Sequence, residues 1–117
     1  MNASPYAYIS RAASQLRCSR RKRDAYVEWE VEYEELHRIY DEQEGLCALT
    51  GVKMTHYRDG SGVPNPDNIS IDRIDPEGSY NKSNIQLVCN HVNMMKWILT
   101  NEQFKEICHR VADRHPL

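Results

Sequence analysis

Two short apolar runs, ISID at 69–72 and NIQLVC at 84–89, are separated by RIDPEGSYNKS, a connection built largely of turn formers. Nothing else in the chain constrains its fold as tightly. Apolar runs this brief, bounded by Gly, Pro, Asn and Asp, read as strands rather than helices, and the long connection makes them an antiparallel hairpin. NHVNMMKWIL, residues 90–99, follows without a gap and reads as a helix. The order is therefore strand, loop, strand, helix, with polar residues at each junction.

The flanks read as helical. In SPYAYISRAASQLRCSRRKRD, Ile9, Ala12, Ala13 and Leu16 fall at helical spacing, and Ser4 then Pro5 suit an N-cap and first helical position. That predicts a helix over roughly 5–20, ending in a basic cluster. Next, Val27, Trp29, Val31 and Tyr33 alternate with four glutamates, a short strand or an extended lead-in. From Tyr33 the pattern turns helical through Leu36, Ile39 and Tyr40, and Gly45 stops it. LCALTG suggests a knuckle-like turn, and 55–68 a Gly- and Pro-rich loop. Thr100 and Gln103 are spaced as a capping box for a last helix, with Phe104, Ile107, Cys108 and Val111 as its apolar stripe. The expected class is α+β: a ββα core at 45–117, preceded by a helical extension at 1–44.

At 117 residues the chain is one domain by length, and its net charge is −2. The average hides a polarity. Residues 1–23 hold six cations and no acid (+6), whereas 24–46 hold nine acids against Arg38 alone (−8). Binding a polyanion needs only a local basic face, so segment 17–23, with Arg20, Arg21, Lys22 and Arg23, is the candidate DNA-backbone contact. No apolar run reaches the roughly 18–20 residues of a membrane span, and the opening lacks a basic-then-apolar leader. The expectation is a cytoplasmic protein with no membrane partner. Cys18, Cys47, Cys89 and Cys108 form no C-x-x-C pair and are expected as free thiols.

Strand, loop, strand, helix is also the layout of a ββα-metal site. The end of the first strand presents a carboxylate, the helix presents a second ligand, and one hard cation sits between them. Asp72 and Asn93 are the oxygen ligands in that reading, and so lean a set suits Mg²⁺ or Mn²⁺.

Residues 45–96 resemble the HNH (His-Me finger) nucleases, especially phage-type members that open on a GLCALTG knuckle. The family's N-L-Q-L-L-C-x-x-C-H/N-x-x-K falls on Asn84 to Lys96 without a gap, and its Asp-His pair falls on Asp72-Arg73. The resemblance implies a metal-dependent DNA endonuclease working in the (host) cytoplasm. Asp72 and Asn93 would be the metal ligands, Asn84 a loop-holding side chain, and Lys96 a residue facing the DNA backbone.

The chain departs from that pattern in two ways. Thr50 and Val92 stand where a zinc knuckle needs cysteines, so no structural zinc is expected, and Cys47 and Cys89 should pack in a small apolar core. Arg73 replaces the histidine base; it stays protonated, so its expected role is to clamp phosphate. The proton acceptor must then come from elsewhere. His56 in the loop before the first strand leads, with Tyr57 and Tyr80 behind it, while Asp75 is expected to cap the DPEG turn. The alternatives are an HNH-fold DNA-binding module weakened in catalysis, and a protein-interaction domain. A homodimer would let so small a nuclease cut both strands, with the N-terminal helix as its candidate element.

Overall fold

The structure is a computed structural model that describes residues 4–22, 28–58, 60–63 and 65–117, with the backbone alone at 20–22. It is α+β: a two-stranded antiparallel hairpin followed directly by a helix, with further helices before and after. No helix among the described residues is long and apolar enough to cross a membrane.

Helix α1 spans Pro5–Lys22. The Ser4 hydroxyl accepts the Ala7 N–H at 3.1 Å, the N-cap that the Ser-Pro pair predicts. Ile9 and Ala13 are fully buried, and Leu16 and Ala12 pack beside them. The helix runs two residues past the expected end, into the basic cluster; Arg23 lies outside the described residues.

The Glu-alternating segment forms no strand of its own. One isolated parallel bridge joins Trp29 to Tyr80, with Glu30 N–H donating to Tyr80 O and Tyr80 N–H to Glu28 O. It acts as a lead-in to α2 (Tyr33–Glu42), whose Leu36 is fully buried. Gly45, at φ 73°, adopts the left-handed backbone that ends this region. Helices α1 and α2 meet through His37, whose Nε2 lies 2.8 Å from Ser10 Oγ and whose ring meets the edge of Tyr6. His37 is thus a packing residue.

Strand β1 is Ile69–Arg73 and β2 is Ile85–Cys89, paired with Ile71 opposite Leu87 and Asp72 opposite Gln86. Every residue of β2 is buried, which is why NIQLVC reads as an unbroken apolar run. Its outer side is satisfied by a side chain rather than by a third strand. Gln43 accepts the Leu87 N–H at 3.0 Å and donates to Leu87 O at 2.9 Å. The knuckle at 47–52 closes over the same place, with Ala48 N–H on Leu87 O.

Helix α3 covers Asn90–Lys96, shorter than the 90–99 expected. It stops because Trp97 turns into the left-handed region at φ 48°. Helix α4, Asn101–Arg114, starts at the expected capping box, with Thr100 Oγ1 accepting the Gln103 N–H at 3.2 Å. Its apolar stripe departs from expectation: only Phe104 is buried, while Ile107, Cys108 and Val111 face solvent.

Candidate functional site

The hairpin and α3 enclose a polar seam. Asp72, the penultimate residue of β1, is 6% exposed, and its Oδ2 accepts two hydrogen bonds of 2.9 Å, one from Gln86 Nε2 on β2 and one from Lys96 Nζ on α3. Lys96 is fully buried, and its ammonium also donates to Arg73 O at 2.7 Å. Gln86 passes the network outward by a reciprocal amide pair with Asn101, the first residue of α4, at 2.8 and 3.0 Å. With Ile74 O at 3.4 Å, three oxygens surround the ammonium, which is what allows a lysine to be buried at all.

Asn93 lies one helical turn before Lys96 on the same face of α3, and its Nδ2 donates to Ser70 Oγ at 2.6 Å. Ser70 and Asp72 alternate onto one face of β1, so the seam runs Ser70–Asn93, then Asp72–Lys96. Helix α3 thus meets β1 at two places, through Asn93 on Ser70 and through Lys96 on Asp72.

Lys96 is a correction. It does not face outward toward a DNA backbone; burial and three carbonyl or carboxylate contacts make it the counter-ion of Asp72. Arg73 is displaced as well. As the next residue along the strand it points to the other side of the hairpin. There its guanidinium lies 4.8 Å from the Tyr80 ring centroid and donates to Gly78 O at 2.9 Å. Tyr80 in turn stacks on Trp29 at 4.9 Å. In this arrangement Arg73 pins the long loop against the lead-in segment.

The candidate bases do not reach Asp72. Thr55 pairs in parallel with Asn68 ahead of β1, so His56 sits level with Ile69 at the opposite end of the strand, about 10 Å along it from Asp72. Its Nδ1 is buried without a hydrogen-bond partner among the described residues. Tyr80 is buried in its stack, and Tyr57 is half exposed beside His56.

Asn84 holds the loop between the strands. Its Oδ1 accepts the Asp75 N–H at 2.9 Å, and its Nδ2 donates to Asp75 O and Ser79 O, both at 3.0 Å. Asp75 caps the DPEG turn by accepting the Glu77 N–H at 2.9 Å. Both are the backbone-holding roles that their sequence positions suggest.

Cys47 and Cys89 are buried together, with the Cys89 N–H directed at Cys47 Sγ at 3.4 Å. Burial pushes the Cys89 thiol up to about 12, helped by its contacts with Cys47 and Asp67. Burial acts the same way on Cys47, but hydrogen bonds from Thr50 and from the N–H groups of Cys89 and Leu49 outweigh it and hold that thiol below its usual value.

Three supporting residues escaped the sequence reading. Asn68, Gln86 and Gln43 are polar residues within apolar or loop segments, and each satisfies backbone or side-chain groups from a distant element. Only their polarity inside runs that should be buried could have flagged them.

As for a cation, no group of three or more His, Cys, Asp or Glu converges among the described residues. The seam offers Asp72 Oδ1 and Asn93 Oδ1, neither of which takes a hydrogen bond from a described residue, and Lys96 already balances the charge of Asp72. Two oxygens without net charge fit a hard cation that keeps most of its waters and arrives with phosphate, as Mg²⁺ does, and are a poor match for a tightly resident ion. Compared with protein-family models, curated proteins and solved structures, the chain finds no match.

Proposed function

We propose that this chain is an HNH-type ββα-metal endonuclease acting on DNA. The observation that carries the reading is the seam itself: an acid from the first strand and an amide from the following helix share one junction, in the order that Asp72 and Asn93 occupy in the sequence. In this reading Asp72 and Asn93 hold a Mg²⁺ or Mn²⁺, which supplies Lewis-acid stabilisation of the developing charge on phosphate oxygens. Lys96 and Gln86 fix the orientation of the Asp72 carboxylate, leaving Oδ1 as its outward oxygen. Asn84 keeps the connecting loop out of the way of substrate. The basic segment 17–23 lies against the DNA backbone, giving affinity that falls with salt and carries little sequence information.

A second reading, a DNA-binding module weakened in catalysis, has its own support. Arg73 is tied to Gly78 and Tyr80, and neither His56 nor Tyr80 lies beside Asp72. Plasmid nicking with Mg²⁺ or Mn²⁺, run alongside gel-shift binding, separates the two. Endonuclease activity requires nicking by the native chain that is lost in Asp72→Asn and Asn93→Ala, with duplex binding retained. Binding without nicking under either ion leaves the module reading, and absence of both removes DNA as the partner.

A further inference from the structure

Two sulfur atoms from distant parts of the chain meet at the knuckle, and the nuclease reading uses neither. Cys47 opens the turn at 47–52 and Cys89 ends β2, 42 residues later, and both are buried. The Cys89 N–H points at Cys47 Sγ from 3.4 Å, and the Cys89 thiol contacts Cys47 in turn. Their surroundings differ. Burial disfavours a charge on Cys47, but the Thr50 side chain and the N–H groups of Leu49, Thr50 and Cys89 stand around its sulfur and favour the thiolate. Cys89 keeps its proton, because burial, the charge of Cys47 and the Asp67 carboxylate all favour the neutral thiol. A cysteine that only fills apolar space needs no such ring of donors. A favoured thiolate touching a protonated thiol, with a carboxylate on that thiol, is the arrangement of an attacking and a resolving sulfur.

We propose that Cys47 and Cys89 form a reversible oxidation site, closed to a disulfide by hydrogen peroxide. The Cys47 thiolate attacks one peroxide oxygen; the O–O bond breaks, hydroxide leaves and takes a proton from water, and Cys47 becomes a sulfenic acid. Cys89 Sγ then attacks the Cys47 sulfur, forming the S–S bond as the S–O bond breaks. Asp67 takes the Cys89 proton and passes it to the departing hydroxide. In sum two thiols give up two electrons and two protons, and one peroxide becomes two waters. Burial selects the oxidant. Each sulfur lies one contact below the surface, Cys47 beneath the exposed Thr50 and Cys89 beneath the exposed Asp67. A peroxide little larger than water reaches that depth, whereas a disulfide as bulky as oxidised glutathione reaches only the exposed Cys18 and Cys108. The bond ties the knuckle to the residue that caps α3, ahead of Asn93 and Lys96.

The test uses the full chain with Cys18→Ser and Cys108→Ser, so that only the buried pair can react. Hydrogen peroxide should lower the mass of the reduced protein by about 2 Da, the two thiol hydrogens. Non-reducing peptide mapping should find Cys47 joined to Cys89, dithiothreitol should reverse the change, and the circular dichroism spectrum should stay native throughout. Adding Cys89→Ser removes the resolving sulfur, so Cys47 should stall as a sulfenic acid that dimedone traps. Adding Cys47→Ser instead should leave no dimedone adduct. The mapping needs neither of these two variants, so it decides even where one fails to fold. On the native chain, oxidised glutathione should label Cys18 and Cys108 and spare the pair. A pair that stays reduced under peroxide, a bond that forms only in urea, a dimedone adduct on Cys89, or glutathione labelling of Cys47 in the folded chain overturns the proposal. These readouts do not depend on nuclease activity, so they stand or fall apart from the function proposed above.

Discussion

Lys96 Nζ lies 2.9 Å from Asp72 Oδ2, with the lysine fully buried and the aspartate nearly so. Such a pair is weak evidence for stability but a strong constraint on substitution, because removing one partner strands the other charge in the interior. Lys96→Met should therefore cost about 3–5 kcal/mol in urea denaturation, and Asp72→Ala a comparable amount. The double variant Asp72→Asn/Lys96→Met should recover much of that loss, since no charge remains to be stranded. If the single variants cost less than about 1 kcal/mol, as exposed pairs do, the pair is not buried in solution.

Gly78 is required by its neighbour rather than by its own backbone. A Cβ placed there would sit 2.6 Å from Asn84 Nδ2, which is held by carbonyls on two sides. Gly78→Ala must expel the Asn84 amide and break its contacts, at about 1–3 kcal/mol. Asn84→Ala should cost a similar amount. Because both changes damage the same network, the double variant should cost clearly less than their sum, and additive losses would show that the two residues act separately.

The hairpin, α3 and α4 were legible because each has a local cause: short apolar runs, turn formers, a capping box, helical spacing. Asn84 and Asp75 were legible for the same reason, since their bonds close within nine residues. Lys96 was misread because a lysine at the end of a short helix reads as solvent-facing unless one knows that Asp72 lies beneath it. The placement of Arg73 follows from strand alternation, but a family's Asp-His pair invites reading the two residues as one site. The α4 stripe has the right spacing for burial, and nothing local says whether its partner is in the same chain.

Arg73 separates a loop pin from a phosphate clamp. Lysine keeps the charge but loses the planar fork that both stacks on Tyr80 and bonds Gly78 O. A pin predicts that Arg73→Lys lowers stability by about 1 kcal/mol, with duplex affinity and its salt dependence unchanged. A clamp predicts the reverse: unchanged melting and a salt slope shallower by roughly one phosphate contact if the charge no longer reaches DNA. Thermal melts and gel shifts over a salt series distinguish them.

The thiol pair gives the fold a dependence on alkaline pH. Burial, with contacts to Cys47 and Asp67, raises the Cys89 thiol from 9.0 to about 12 in the folded chain. Below about 9 both folded and unfolded chains carry the neutral thiol, and its contribution to stability is complete. As pH rises from 9 toward 12 the unfolded chain ionises at Cys89 while the folded chain does not, so stability drains away across that window. Cys47 is held below its usual value in the folded chain, a shift of the opposite sign, so its own contribution grows rather than drains as pH rises. The melting temperature of the native chain should therefore fall more steeply between about pH 9 and 11 than that of Cys89→Ala, which starts lower because it leaves a small cavity. Parallel slopes for the two proteins would mean that Cys89 titrates as freely folded as unfolded, and that the Cys47–Cys89 contact is not closed in solution.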